Sequence, residues 1–83
     1  MIPKEIREKA ELLIKLNTEI IEYFRREYNF KGDFDCLDIV NEPSGKKLQD
    51  GSYKCWYIDY YDTVYYRYYP MENGKYLEIM YRK

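Results

Sequence analysis

The chain has no histidine, only two cysteines, a single tryptophan and no strong excess of either charge. Without imidazole, the commonest general base is missing, and so is the usual activator of a serine or cysteine nucleophile. Serine is scarce as well: Ser44 and Ser52 stand in one stretch that reads as loop. Cys36 and Cys55 cannot make a zinc site without further ligands, nor a disulfide scaffold, and are read as buried free thiols. No apolar run approaches the roughly 20 residues that span a bilayer. The opening Met1-Ile2-Pro3-Lys4-Glu5 leads into no signal peptide. A cytoplasmic protein without membrane partners is therefore expected, and its initiating Met suits a short stand-alone reading frame.

The charge balance weighs against a simple nucleic-acid reading without closing it. Fourteen basic and fifteen acidic residues leave a net charge of −1. They are not segregated: residues 1–31 hold seven basic and six acidic side chains. Duplex DNA binding calls for a basic patch that displaces counterions, and composition supplies none. Gly45-Lys46-Lys47 lacks the upstream glycine and the following Ser or Thr of a phosphate loop, and reads as a basic loop tip. Asp35 and Asp38 fall on opposite faces of a strand, and Asp59 and Asp62 read as solvated turn carboxylates, so no glycosidase-type pair is expected. No catalytic residue, cofactor or metal is assigned.

What the chain does have is tyrosine, twelve in 83 residues, ten of them between positions 53 and 81. A single domain spanning 1–83 of this size buries only about 60–65% of its unfolded surface. Aromatic side chains, at roughly 150–250 Å² each, offset that shortage.

Residues 3–29 read as helix. Pro3 suits the first helical position. Ile6, Ala10, Leu13, Ile14, Ile20, Ile21, Phe24 and Tyr28 recur at three- and four-residue spacing, interrupted by Asn17. Glu5/Lys9, Glu11/Lys15 and Glu22/Arg26 offer i,i+4 pairs on the opposite face. Such a helix is about 40 Å long, against about 25 Å for a strand of seven or eight residues. It therefore overhangs a sheet or breaks at Asn17-Thr18, and an overhanging stripe would suit a homodimer.

The period changes near residue 32. Residues 34–40, 53–60, 63–69 and 75–82 read as strands of a sheet over 34–82, and 41–52 as loop. Tyr60-Tyr61-Asp62-Thr63 reads as a turn or as part of one long bent strand. Asn73-Gly74 favours a two-residue type I′ turn. That register pairs Tyr68 with Ile79 and Tyr66 with Tyr81. It collects Val64, Tyr66, Tyr68, Leu77, Ile79 and Tyr81 on an inner face. Tyr65, Arg67, Tyr69, Tyr76, Glu78, Met80 and Arg82 then look outward. In the preceding strand, facing Trp56 and Ile58 inward buries more apolar surface and leaves Asp59 outside.

The expected class is α+β: one long N-terminal amphipathic helix packed on a four-stranded antiparallel meander. In element order it resembles the cystatin or monellin roll; a helix plus a small SH3-like or Sm-like barrel is the competing outline. The expected function is a non-enzymatic protein-interaction module. Its recognition surface is Tyr65, Arg67, Tyr69, Tyr76 and Arg82, since tyrosine and arginine are favoured in binding surfaces, or else the loop 41–52. Codon-biased composition suggests a phage or mobile-element factor that modulates a bacterial host protein. Single-stranded nucleic-acid binding by the same aromatics is the first alternative. A small-ligand cup between helix and sheet is the second.

Overall fold

The computed structural model describes residues 1–60 and 62–82, with Asp59 described by its backbone alone. Tyr61, in the expected turn, and the outward facing of the Asp59 side chain thus lie outside the described residues. The class is α+β, with one long helix followed by an antiparallel sheet. The chain divides into two compact units, Met1–Lys31 and Gly32–Lys83, at the expected change of period.

In the first unit, helix α1 runs unbroken over Lys4–Tyr28. Thr18, where a break was considered, directs its hydroxyl back to the Ile14 carbonyl at 3.0 Å, so the helix continues through it. Pro3 precedes the helix in extended conformation. Asn29 ends it in the left-handed region at φ 52, which asparagine tolerates better than most residues. The Phe30 N–H then reaches back to the Phe24 carbonyl at 3.3 Å, closing the helix end, and both residues are buried. The i,i+4 ion pairs among the described residues are Lys4–Glu8 at 3.8 Å and Arg7–Glu11 at 3.7 Å, in place of the expected set. Long exposed side chains have several nearly equivalent partners, so sequence spacing alone does not choose among them. Among the described residues no helix is long and apolar enough to cross a membrane.

The second unit has five strands rather than four. They are β1 (Asp33–Val40), β2 (Lys46–Lys47), β3 (Tyr53–Asp59), β4 (Asp62–Pro70) and β5 (Tyr76–Arg82), in the spatial order β1-β5-β4-β3-β2. The meander thus covers β2 to β5, and β1 joins the outer side of β5. The additional strand, β2, is two residues paired with Tyr53 and Lys54, too short to leave any alternation in sequence.

The β4–β5 register differs by one residue from the type I′ expectation. Tyr68 lies opposite Glu78 and Tyr65 opposite Tyr81. The connection is a three-residue loop, Glu72-Asn73-Gly74, closed by Met71 N–H to the Lys75 carbonyl at 2.9 Å. Only Gly74 takes positive φ (81°); Asn73 does not, and instead accepts the Lys75 N–H on its side-chain oxygen at 3.1 Å. A type I′ turn would require positive φ at both positions. Because side chains alternate, a shift of one residue moves a whole strand to the other face.

Two faces result. The Trp56 face carries Lys54, Trp56 and Ile58 of β3, Tyr65, Arg67 and Tyr69 of β4, and Leu77, Ile79 and Tyr81 of β5. The Tyr57 face carries Tyr57, Val64, Tyr66, Tyr68, Glu78 and Met80. Each has a buried centre: Tyr69, Ile79 and Tyr81 on the first, Val64 and Tyr68 on the second.

Loops reach both faces. The β1–β2 link brings the Ser44 hydroxyl to the Tyr68 phenol on the Tyr57 face. The β2–β3 loop brings Asp50 and buried Ser52 to Arg67 on the Trp56 face. The link must also pass tight against β3: a Cβ on Gly45 would fall 2.2 Å from the Lys54 carbonyl oxygen.

Candidate functional site

The register decides the fate of the five residues singled out from sequence. Tyr65, Arg67 and Tyr69 share the Trp56 face, whereas Tyr76 and Arg82 lie on the opposite one, so the five form no common surface. Tyr69 is buried, only 5% exposed. The Arg67 guanidinium sits 5.3 Å from the Tyr69 ring and donates to Ser52 Oγ at 2.8 Å and Asp50 Oδ2 at 3.4 Å. It fastens a loop to the sheet. Arg82 is similarly engaged, donating to Asp35 at 2.8 Å and Asp62 at 2.5 Å. Tyr76 packs edge-on against Tyr53 at 5.9 Å. Tyr65 is half-buried, with its ring stacked on Tyr81 at 5.5 Å.

The preferred inward facing of Trp56 and Ile58 is overturned as well. Trp56 is 61% exposed and Ile58 67%. Both belong to a face that is buried at its centre, so their exposure comes from position. β4 flanks β3 on one side along its whole length, but β2 flanks it only at Tyr53 and Lys54. Beyond Lys54, β3 has no outer neighbour in the sheet among the described residues, and Tyr57 is also exposed there on the other face.

Beside Trp56 lies an open groove of about 590 Å³, lined by Lys46, Leu48, Lys54, Trp56, Thr63 and Tyr65. The register explains its composition. Lys46 lies opposite Lys54, which puts two lysines in one row, and Trp56 lies opposite Tyr65, which puts two aromatic residues in the next row. The Lys54 ammonium stands 5.7 Å from the Tyr65 ring, within cation–π reach. This volume falls in the range of small-molecule and peptide pockets. An apolar wall beside two ammonium groups suits a ligand that presents both an acid and an apolar or planar group.

The titratable groups of the sheet are set against nucleophilic chemistry. Burial pushes the Cys55 and Cys36 thiols above their ordinary value, so both stay protonated. They lie in one row, Cys36–Met80–Tyr66–Cys55, with two strands between them, and are not paired. The Tyr66 phenol is raised by its 3.1 Å hydrogen bond with the Tyr57 hydroxyl and then by burial. Tyr68 is raised by burial and then by donating to Glu78. Tyr81 is raised by burial. Two carboxyls move the other way. Asp50 is lowered by the Ser52 hydroxyl and then the Ser52 N–H, Asp62 by Arg82 and then the Thr63 N–H.

Sequence reasoning missed the groove because its lysines come from β2, unseen as a strand, and from Lys54, which the alternation places next to Trp56 only once loop lengths are known. Compared with known proteins, the chain matches no protein family, no curated sequence and no solved structure.

Proposed function

We propose that the chain is a non-enzymatic protein-interaction module that docks through the outer part of β3, with Trp56 and Ile58 as apolar anchors and Lys46 and Lys54 as the charged rim. The observation that carries this reading is the exposure of Trp56 and Ile58 side by side on a regular strand. A domain this small needs its large side chains inside. Leaving its single tryptophan in water next to an isoleucine forgoes about 2–3 kcal/mol of burial. Tryptophan and tyrosine ringed by cations are the side chains that dominate binding energy at interfaces. The setting suggested by composition, a phage or mobile-element factor acting on a bacterial host protein, accords with a short chain that works by occupying a surface.

A second reading draws on the same groove. Trp56 and Tyr65 as stacking plates beside two lysines is the composition that single-strand binders use. Affinity capture with the immobilised chain, compared with a Trp56→Ser/Ile58→Ser variant of unchanged melting temperature, separates the alternatives. A specific protein lost with the variant is expected. Proteins retained equally by both chains overturn the docking surface. An oligonucleotide bound with steep salt dependence and lost with the variant transfers the site to the second reading.

A further inference from the structure

We infer that the partner docks by adding an acidic, extended segment as a strand along the open edge of β3, with alternate side chains entering the Lys46–Lys54–Trp56 groove. The inference rests on the protein-binding reading above and specifies its mode.

Backbone geometry comes first. Counted from the Ser52 carbonyl, which accepts the Leu48 N–H on the β2 side, the strand's hydrogen-bonding groups alternate, so those of Trp56 and Ile58 point to that side, away from β4. Among the described residues, no strand of the sheet lies on that side beyond Lys54. A row of unpaired donors and acceptors is a template for another chain, and proteins normally blunt such rows.

The other edge of this sheet is blunted in three ways. β1 carries Asp33, Asp35 and Asp38, has a bulge between Phe34 and Cys36, and satisfies one amide with its own side chain, the Ile39 N–H donating to the Asp38 carboxylate at 2.8 Å. Residues 55–58 of β3, Cys-Trp-Tyr-Ile, contain no charge and no proline, and the β3–β4 register runs through them without a shift. One edge is guarded and the other is left open, with its apolar side chains exposed.

The groove specifies the occupant. An added strand continues the alternation of the sheet, so every second side chain lies on the Trp56 face. There it meets Trp56 and the paired Lys46 and Lys54. Acidic and apolar side chains at alternate positions complement that lining. A nucleic-acid strand could use the rings and ammonium groups but not the backbone groups of Trp56 and Ile58. Strand addition uses all three, with main-chain bonds giving affinity and pockets giving selectivity.

The test is selection from a random dodecapeptide library against the intact chain, read by the emission of Trp56, the single tryptophan. Selected peptides are expected to alternate apolar with Asp or Glu residues and to blue-shift that emission. Methylating alternate backbone amides of a selected peptide should weaken binding at least tenfold. Ile58→Pro, which removes an outward N–H while leaving the β4 ladder in place, should weaken it at least tenfold relative to Ile58→Ala. Lys46→Glu/Lys54→Glu should weaken it more in low salt than in high salt. Peptides that need Trp56 but tolerate methylation and Ile58→Pro overturn strand addition and leave the docking reading standing. Basic or helical peptides, binding to a second copy of the chain alone, or no selected peptide at all also overturn it. If neither peptide nor protein binding depends on Trp56, both readings fall together.

Discussion

Ile79 and Ile58 project from the same face of the same sheet, yet one is fully buried and the other is 67% exposed. Ile79 sits on β5, which has β1 on one side and β4 on the other. Ile58 sits on β3 beyond the last residue that β2 covers. Residue type and face are held constant between them, so the difference isolates what neighbouring strands and loops contribute. Burial in a small sheet is decided by how many strands and loops flank a position, and a strand that outruns its neighbour leaves its side chains in water whatever their polarity. The tip of β3 is apolar without being core, which is why it reads as a docking surface.

The largest expected effect tests this contrast directly. Ile79→Ala should lower unfolding stability by about 2–5 kcal/mol, the usual cost of truncating a fully buried aliphatic side chain. Ile58→Ala should stay within about 0.5 kcal/mol, as exposed positions do. Urea unfolding of both variants measures the pair. Similar losses in the two would mean that β3 is packed in solution, and the proposed surface would not exist.

Much of the fold was legible in the sequence because its signals are local. The helix over 3–29 is found at Lys4–Tyr28, and the strands at 34–40, 53–60, 63–69 and 75–82 correspond to β1, β3, β4 and β5. Each of these segments carries its own period. The facing of the strands was not legible, because it depends on single torsions in loops. Asn73 at negative φ makes the last hairpin a three-residue loop, and that one angle exchanges the partners of Tyr66 and Tyr68 with those of Tyr65 and Arg67. Apolar patterning favours the other register, since it would gather Val64, Tyr66, Tyr68, Leu77, Ile79 and Tyr81 on one side. In the sheet as built, the link carrying Ser44 reaches one face at Tyr68 and the loop carrying Ser52 reaches the other at Arg67. The candidate site suffered most, since Tyr65, Arg67, Tyr69, Tyr76 and Arg82 were grouped by parity alone.

The close passage of the β1–β2 link along β3 predicts a smaller difference between two glycines. Gly45 and Gly51 both hold positive φ, 87° and 88°. A Cβ at Gly51 would meet nothing within 4 Å, whereas at Gly45 it would lie 2.2 Å from the Lys54 carbonyl oxygen and 2.6 Å from Cys55 Cβ. Gly51→Ala should therefore cost only the conformational strain, about 1 kcal/mol. Gly45→Ala adds a backbone collision, for a total of about 2–4 kcal/mol. Thermal unfolding of the two variants compares them, and equal shifts would show that the link does not press on β3.

The smallest expected effect concerns the loop on the Trp56 face. Asp50 accepts from the Ser52 hydroxyl at 2.5 Å and the Ser52 N–H at 2.9 Å, and receives Arg67 at 3.4 Å. These contacts hold its carboxyl below the ordinary aspartate value, with the Ser52 hydroxyl the largest cause. A carboxyl whose folded pKa is depressed binds protons more readily when unfolded, so its contribution is complete above about pH 4 and is lost as pH falls through the lower, folded value. Asp62, lowered by Arg82, behaves in the same sense. Asp50→Asn should therefore flatten part of the stability loss below about pH 4, while changing the neutral-pH midpoint only slightly, because the side chain is 42% exposed and its ion pair is screened by solvent. Ser52→Ala should do the same and leave Asp62 to supply the remaining acid slope. The loop forms one wall of the groove through Leu48, which is half-buried and donates its N–H to the Ser52 carbonyl at 2.7 Å. Trp56 emission followed along the same pH series should therefore shift when Asp50 titrates in the parent chain, and hold constant in Asp50→Asn. An unchanged emission in both would separate the loop from the groove and leave Trp56 and Tyr65 as its structural basis.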